Sequence, residues 1–179
     1  IGRQDIPILG INTGRLGFLA EAGPEQIEET LDEISRGDYR IERRMMLCLQ
    51  TSEPAFAGCN YALNEVALLK RETSSMITIH TFLNDEYLTS YQADGLVIAS
   101  PTGSTAYSMS VNGPIILPQS DNIVLSPVAP HSLNVRPLVI PGSYKISLEV
   151  ESRNDSYLVA LDGRSESLSV DVRLSVCRA

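Results

Sequence analysis

The sequence predicts a mainly β protein, a β-sandwich-like domain with one or two helices. Three observations carry this reading. Short apolar or alternating segments recur along most of the chain, separated by turn-forming pairs such as Asn84-Asp85, Asn154-Asp155 and Asp162-Gly163. A single long stretch has helical periodicity. No internal repeat or low-complexity tract suggests another architecture.

In chain order, residues 6–11 read as a strand that leaves into a glycine-punctuated loop ending at Phe18. The helix follows. Gly23 precedes Pro24 at the first helical position, Glu25, Glu28 and Glu29 suit the positive helix start, and Gly37 follows the last turn. Ile27, Leu31 and Ile34 form one apolar stripe. From residue 39 the period becomes two: Tyr39, Ile41, Arg43 and Met45 alternate with Arg40, Glu42 and Arg44. The stretch 46–49 continues as a more deeply buried strand. Further strands are expected at 61–70, 76–83, 86–91, 95–99, 123–127, 136–140, 144–151, 157–161 and 166–176, and Asp162-Gly163 marks a tight hairpin.

The chain has 179 residues, enough to bury a core within one domain of ordinary size. Its 43% hydrophobic and 20% charged residues are the composition of a soluble globular protein. No apolar run of about eighteen residues exists that could span a membrane as a helix. No secretory signal is visible at the start. Because the first residue is Ile1, with an apolar segment almost at once, the chain reads as cut from something longer. A net charge of −8 argues against nucleic-acid binding. Arg40, Arg43 and Arg44 are the one basic cluster, either a solvated strand edge or a phosphate contact. Cys48, Cys59 and Cys177 lack C-x-x-C spacing and, with His80 and His131, make a poor zinc set; they fit reduced thiols in a cytosolic protein.

The most informative stretch is Asp94 to Gly113, D-G-L-V-I-A-S-P-T-G-S-T-A-Y-S-M-S-V-N-G. An apolar strand enters a Pro-Thr-Gly turn, which opens into a hydroxyl-crowded helix start. Small residues let a ligand approach the main chain, and exposed amides and hydroxyls can hold an anion or a ring edge. The hydroxyls are equally suited to capping the helix, and Tyr107 to packing as a ring. Asn64-Glu65 places an amide and a carboxylate side by side in an apolar strand, where they need partners or solvent.

Taken with Gly10-Ile11-Asn12-Thr13-Gly14-Arg15-Leu16-Gly17-Phe18, Leu63-Asn64-Glu65-Val66 and Pro130-His131-Ser132-Leu133, this stretch resembles the NAD kinases, over nearly the whole chain and in the family's order. The resemblance implies phosphorylation of the adenosine ribose 2′-hydroxyl of NAD to give NADP, with ATP as donor and a divalent cation, Mg2+, travelling with ATP. It implies an N-terminal α/β domain, whose tail would be residues 1–20, and a mainly β domain for NAD binding and assembly at 21–179. Carried over residue by residue, the NAD-binding set is Asn64, Glu65, Asp94, Thr105, Ala106, Tyr107, Ser108 and Ser110. Ser75 stands where some relatives have a longer polar or basic residue. Arg164 stands where glutamine is common; it is either an exposed hairpin tip or a fork reaching a phosphate. Phe18 either stacks on adenine or belongs to a core.

The family's catalytic aspartate lies in a Gly-Gly-Asp-Gly loop, absent from these residues and expected upstream of Ile1. So no catalytic residue is assigned here, and the chain alone is expected to be inactive. His131 reads as a loop-fixing hydrogen bonder. The resemblance further implies a homodimer or homotetramer with sites shared between subunits, in the cytoplasm, without nucleic-acid or membrane partners. A related lipid kinase, or a non-catalytic dinucleotide-binding or assembly module, are the alternatives.

Overall fold

The computed structural model describes residues 6–14, 20, 22–71 and 75–179. The chain falls into two compact units, Ile1–Arg43 and Arg44–Ala179.

In the first unit a 3-10 turn, Pro24–Gln26, runs into α1, Ile27–Arg36. The Gln26 side chain accepts from the Gly23 amide at 2.9 Å, closing the helix start. Gly37 ends the helix at φ 82°, a conformation that glycine adopts without penalty. Ile27, Leu31 and Ile34 share one side of α1 but remain exposed. The strand expected over 6–11 is not formed among the described residues. It reduces to one parallel bridge between Ile11 and Ala22, because no other described segment offers a ladder to its amides.

The second unit is a sandwich of two six-stranded antiparallel sheets. Its strands are β1 Leu47–Thr51, β2 Tyr61–Ala62, β3 Glu65–Leu69, β4 Ile77–Leu83, β5 Glu86–Ala93, β6 Gly95–Ala99, β7 Asn122–Val128, β8 Leu138–Pro141, β9 Ile146–Glu151, β10 Ser156–Leu161, β11 Arg164–Ser169 and β12 Leu174–Arg178. The first sheet runs β2-β1-β12-β9-β4-β5 and the second β11-β10-β3-β6-β7-β8. Alternate residues of both sheets, among them Leu49, Ile79, Leu148 and Val176 facing Leu68, Ile98, Leu125 and Val159, fill the space between them.

Strand β6 is buried along its whole length. Its second face, with Ala67, Val97, Ala99 and Val124, is covered by Tyr107, Val111 and Ile116. That second cover explains why β6 reads as a continuous apolar run. The covering segment begins with a 3-10 turn, Thr102–Thr105, and a single helical turn, α2, Tyr107–Ser110.

Three expected strands are corrected. The period-two stretch 39–45 carries no strand; pairing starts at Leu47, where β2 and β12 flank the chain. The single strand expected over 61–70 breaks at Leu63-Asn64, where the chain passes from the first sheet to the second. The stretch 166–176 is likewise two strands, β11 and β12, separated by a turn in which the Val172 amide donates to Ser169 O at 3.1 Å. Asn84, Asp85, Asp155 and Asp162 all have positive φ, as their turn signals require. No helix among the described residues is long and apolar enough to cross a membrane.

Candidate functional site

The crossing between sheets fixes Asn64 and Glu65. Strand β2 pairs with β1 in one sheet, while β3, starting at Glu65, pairs with β6 and β10 in the other, so Leu63 and Asn64 between them leave both ladders. Their amides find another partner. The Asp162 carboxylate accepts from the backbone N–H of Leu63 at 2.5 Å, Asn64 at 2.8 Å and Glu65 at 3.0 Å. Asp162 can do this because it sits at φ 46° in the β10–β11 hairpin, ahead of Gly163 at φ 83°.

The turn after β6 closes on this crossing. The Ser100 amide donates to Asn64 O at 2.8 Å and its hydroxyl to Leu63 O at 2.5 Å, while the Gly103 amide donates to the Ser100 hydroxyl at 3.1 Å. A β-carbon on Gly103 would collide with the backbone of Asn64, so glycine is required by close approach. Ser104 Oγ donates to Pro101 O at 2.7 Å and accepts from the Ile116 amide at 3.0 Å, fastening the covering segment to the turn.

Glu65 is therefore held beside α2. Burial is the main influence raising its carboxyl pKa above the usual value, with the negative charge of Asp162 second; a hydrogen bond from the Tyr107 backbone amide opposes both. Its Oε2 is buried without a hydrogen-bond partner. So is the hydroxyl of Thr102, a residue 7% exposed in the same turn. Two buried polar atoms without partners thus occur in and next to this turn, where buried polar groups ordinarily find one. Thr102 was not singled out from sequence; the Pro-Thr-Gly turn was the available signal, but only its burial separates it from its neighbours.

The other predicted residues divide by position. Thr105, Ala106 and Tyr107 are half-buried in this turn, and Ser110 is exposed on α2. Ser108 is fully buried, its hydroxyl bonded to that of Ser126 on β7 at 3.0 Å. Neither short helix has a side-chain cap, so the hydroxyls that sequence offered as caps instead tie the turn internally. Arg164 spends two donors on the carbonyls of Cys59 at 2.8 Å and Tyr61 at 2.7 Å, bracing the segment that leads to the crossing.

Asp94 lies at the opposite end of β6. The pairing of Glu65 with Ala99 and of Leu69 with Gly95 puts the crossing at one end and Asp94 beyond the other. From Asp94 to Ser100 an extended strand covers about 20 Å. There Asp94 pairs with Lys70 at 2.7 Å. Ser75, half-buried, precedes the Ile77–Ala93 pair and so lies at the Asp94 end as well. One chain thus holds two separate groups of predicted residues. Phe18 lies outside the described residues. His131 is exposed, with its backbone amide on Gln92 O at 2.9 Å. Shallow hollows of about 470 and 490 Å³ lie along the first sheet and its 52–58 loop, and contain none of the predicted site residues. Among the described residues, no group of three or more His, Cys, Asp and Glu side chains is placed to hold a metal ion.

The fold and the crossing define a β-sandwich domain with a polar corner where the chain changes sheets. The ATP-NAD kinase C-terminal domain matches residues 63–179 and the ATP-NAD kinase N-terminal domain matches residues 1–39. The chain belongs to the ATP-NAD kinase family. It is 56% identical over 179 residues to an NAD kinase of Bacteroides fragilis and 52% identical over 179 residues to one of Porphyromonas gingivalis, covering 100% of this chain and 62% of each relative. Among solved structures it is similar to yeast NADH kinase complexed with NADH, with a TM-score of 0.88 and 28% identity, covering 97% of this chain and 51% of that one. It is similar also to an NAD kinase from Archaeoglobus fulgidus in complex with ATP, with a TM-score of 0.81 and 30% identity, covering 97% and 65%. The chain thus spans less than two thirds of the length of these relatives.

Proposed function

We propose that the protein carrying this chain phosphorylates the adenosine ribose 2′-hydroxyl of NAD with ATP, and that these residues supply recognition of NAD. The observation that carries the proposal is the Asn64–Glu65 crossing, held by Asp162 against the Thr102–Tyr107 turn, with Glu65 Oε2 buried and unsatisfied. Glu65 accepts from a ribose hydroxyl or an exocyclic amine, and the Asn64 amide contributes a donor and an acceptor. Thr105, Ala106, Tyr107, Ser108 and Ser110 present backbone and hydroxyl contacts around the same corner. Ser75, Arg164 and Phe18 are secondary contacts.

In the transfer, a bond forms from the ribose 2′-oxygen to the γ-phosphorus as the bond to the β-γ bridging oxygen breaks. This half positions the acceptor oxygen, which is the main requirement of such chemistry. A divalent cation, Mg2+, accompanies the ATP phosphates, as the family membership suggests. Gly-Gly-Asp-Gly is not among the 179 residues, so we assign the catalytic aspartate to a segment outside them and expect the chain alone to be inactive. Residues 1–20 are read as the tail of the α/β domain and 21–179 as the mainly β domain.

Because Asp94 and Glu65 sit at opposite ends of β6, we infer that Asp94 serves a site completed by a second copy, in a homodimer or homotetramer. We place the protein in the cytoplasm. A coupled assay with NAD and ATP tests the activity: the chain extended upstream through Gly-Gly-Asp-Gly is expected to form NADP, and the chain alone is not. Absence of NADP from the folded, extended protein would overturn the assignment.

A further inference from the structure

We propose that Cys48 and Cys177 form a cross-strand dithiol that low-molecular-weight disulfides oxidise reversibly to an intrachain disulfide. The two residues are direct partners in the β1–β12 ladder. Neighbours on the ladder fix the kind of pair. The Ala179 amide donates to Met46 O at one end and the Ser52 amide to Arg173 O at the other. Hydrogen-bonded pairs alternate along an antiparallel ladder, so Cys48 and Cys177, two steps in from Met46 and Ala179, form a hydrogen-bonded pair. Such pairs have Cα atoms about 5.5 Å apart, within the range that a disulfide spans.

Both side chains point to the outer face of the first sheet. Leu47, Leu49 and Val176 are fully buried, whereas Cys48 and Cys177 are half-buried. On that same face the next pair along, Gln50 and Ser175, touches across the strands through a 3.2 Å hydrogen bond. Cys177 Sγ already lies 4.0 Å from Cys48 O. The Asn60 side-chain amide donates to Cys48 Sγ at 3.8 Å, and the Cys48 thiol donates to Leu49 O at 3.9 Å. Cys59 is exposed and outside this pair.

The chemistry balances with a small disulfide as oxidant. The thiolate of one cysteine attacks one of its sulfurs, forming a mixed disulfide and releasing one small thiol. The other cysteine then attacks the protein sulfur of that mixed disulfide and releases the second, so both protein thiol protons end on the two released thiols. The β-carbons of a directly opposed pair must close from about 5.5 Å to about 3.8 Å, which strains the bridge and leaves it easily reduced.

The test treats the folded chain carrying Cys59→Ser with oxidised glutathione, then alkylates and measures intact mass and peptides. The expected product has lost two hydrogens, retains no glutathione, resists alkylation at both sulfurs and yields one Cys48–Cys177 peptide. Excess reduced glutathione is expected to restore both thiols. A glutathione adduct that persists on either cysteine, or two thiols that stay alkylatable in the folded chain, would overturn the proposal. The unsubstituted chain gives the same crosslinked peptide with glutathione on Cys59 alone, so the result does not depend on the variant folding.

Discussion

Asp162 accepts the backbone amide of Asn64 at 2.8 Å, across 98 positions of sequence. A hairpin tip thereby holds open the point at which the chain leaves one sheet for the other. Asp162→Ala strips three amides of their acceptor at once. It is expected to destabilise the unit by about 2 kcal/mol, since water replaces part of each bond at this exposed site. Asp162→Asn keeps an oxygen that can serve Asn64 and Glu65 and is expected to lose roughly half as much. Urea unfolding of the three chains checks the order.

Gly103→Ala tests the close approach on the other side of the crossing. The new methyl meets the Asn64 backbone rather than a flexible side chain, so the turn or the crossing must move. A loss of about 1–3 kcal/mol is expected. If the variant keeps wild-type stability in thermal unfolding, the turn does not rest on Asn64.

Glu65 gives a pH signature. Its folded-state pKa is raised above the ordinary 4.5, chiefly by burial and secondly by Asp162. As pH rises past 4.5 the unfolded chain ionises first, so stability falls until the folded carboxyl also ionises, and the cost persists at neutral pH. Glu65→Gln is therefore expected to be slightly more stable than wild type at pH 7, with the difference vanishing in acid. Thermal unfolding from pH 4 to pH 8 reads it out. Under the proposed function the same variant binds NAD more weakly, so stability and binding move in opposite directions.

Much of the fold was legible. Asn84-Asp85 and Asp162-Gly163 announced their hairpins because few other residues accept positive φ, and Gly23-Pro24 with Gly37 bracketed α1 because those residues suit helix ends. The strand 95–99 is legible to the residue, since a run buried on both faces has sharp ends. What failed was pairing. Tyr39 to Met45 alternates as a strand does but finds no ladder partner among the described residues, and 61–70 is apolar enough to look continuous although the chain changes sheets within it.

The candidate site was partly legible. Asn64, Glu65 and Tyr107 come together as one corner, carried by local motifs. Asp162 and Thr102 were not singled out for the site, because one acts from a distant hairpin and the other is distinguished only by its burial. The separation of Asp94 from Glu65 follows from strand register, which no local motif encodes.

We propose that the crossing beside Asn64 and Glu65 is an NAD-binding corner. Calorimetric titration of the folded chain with NAD, beside the Asn64→Ala and Asp94→Ala variants, tests it most directly. Binding by the wild-type chain is expected, weakened more than tenfold in each variant, since a lost polar contact costs about 1–3 kcal/mol. Unchanged affinity in a folded Asn64→Ala chain would contradict it.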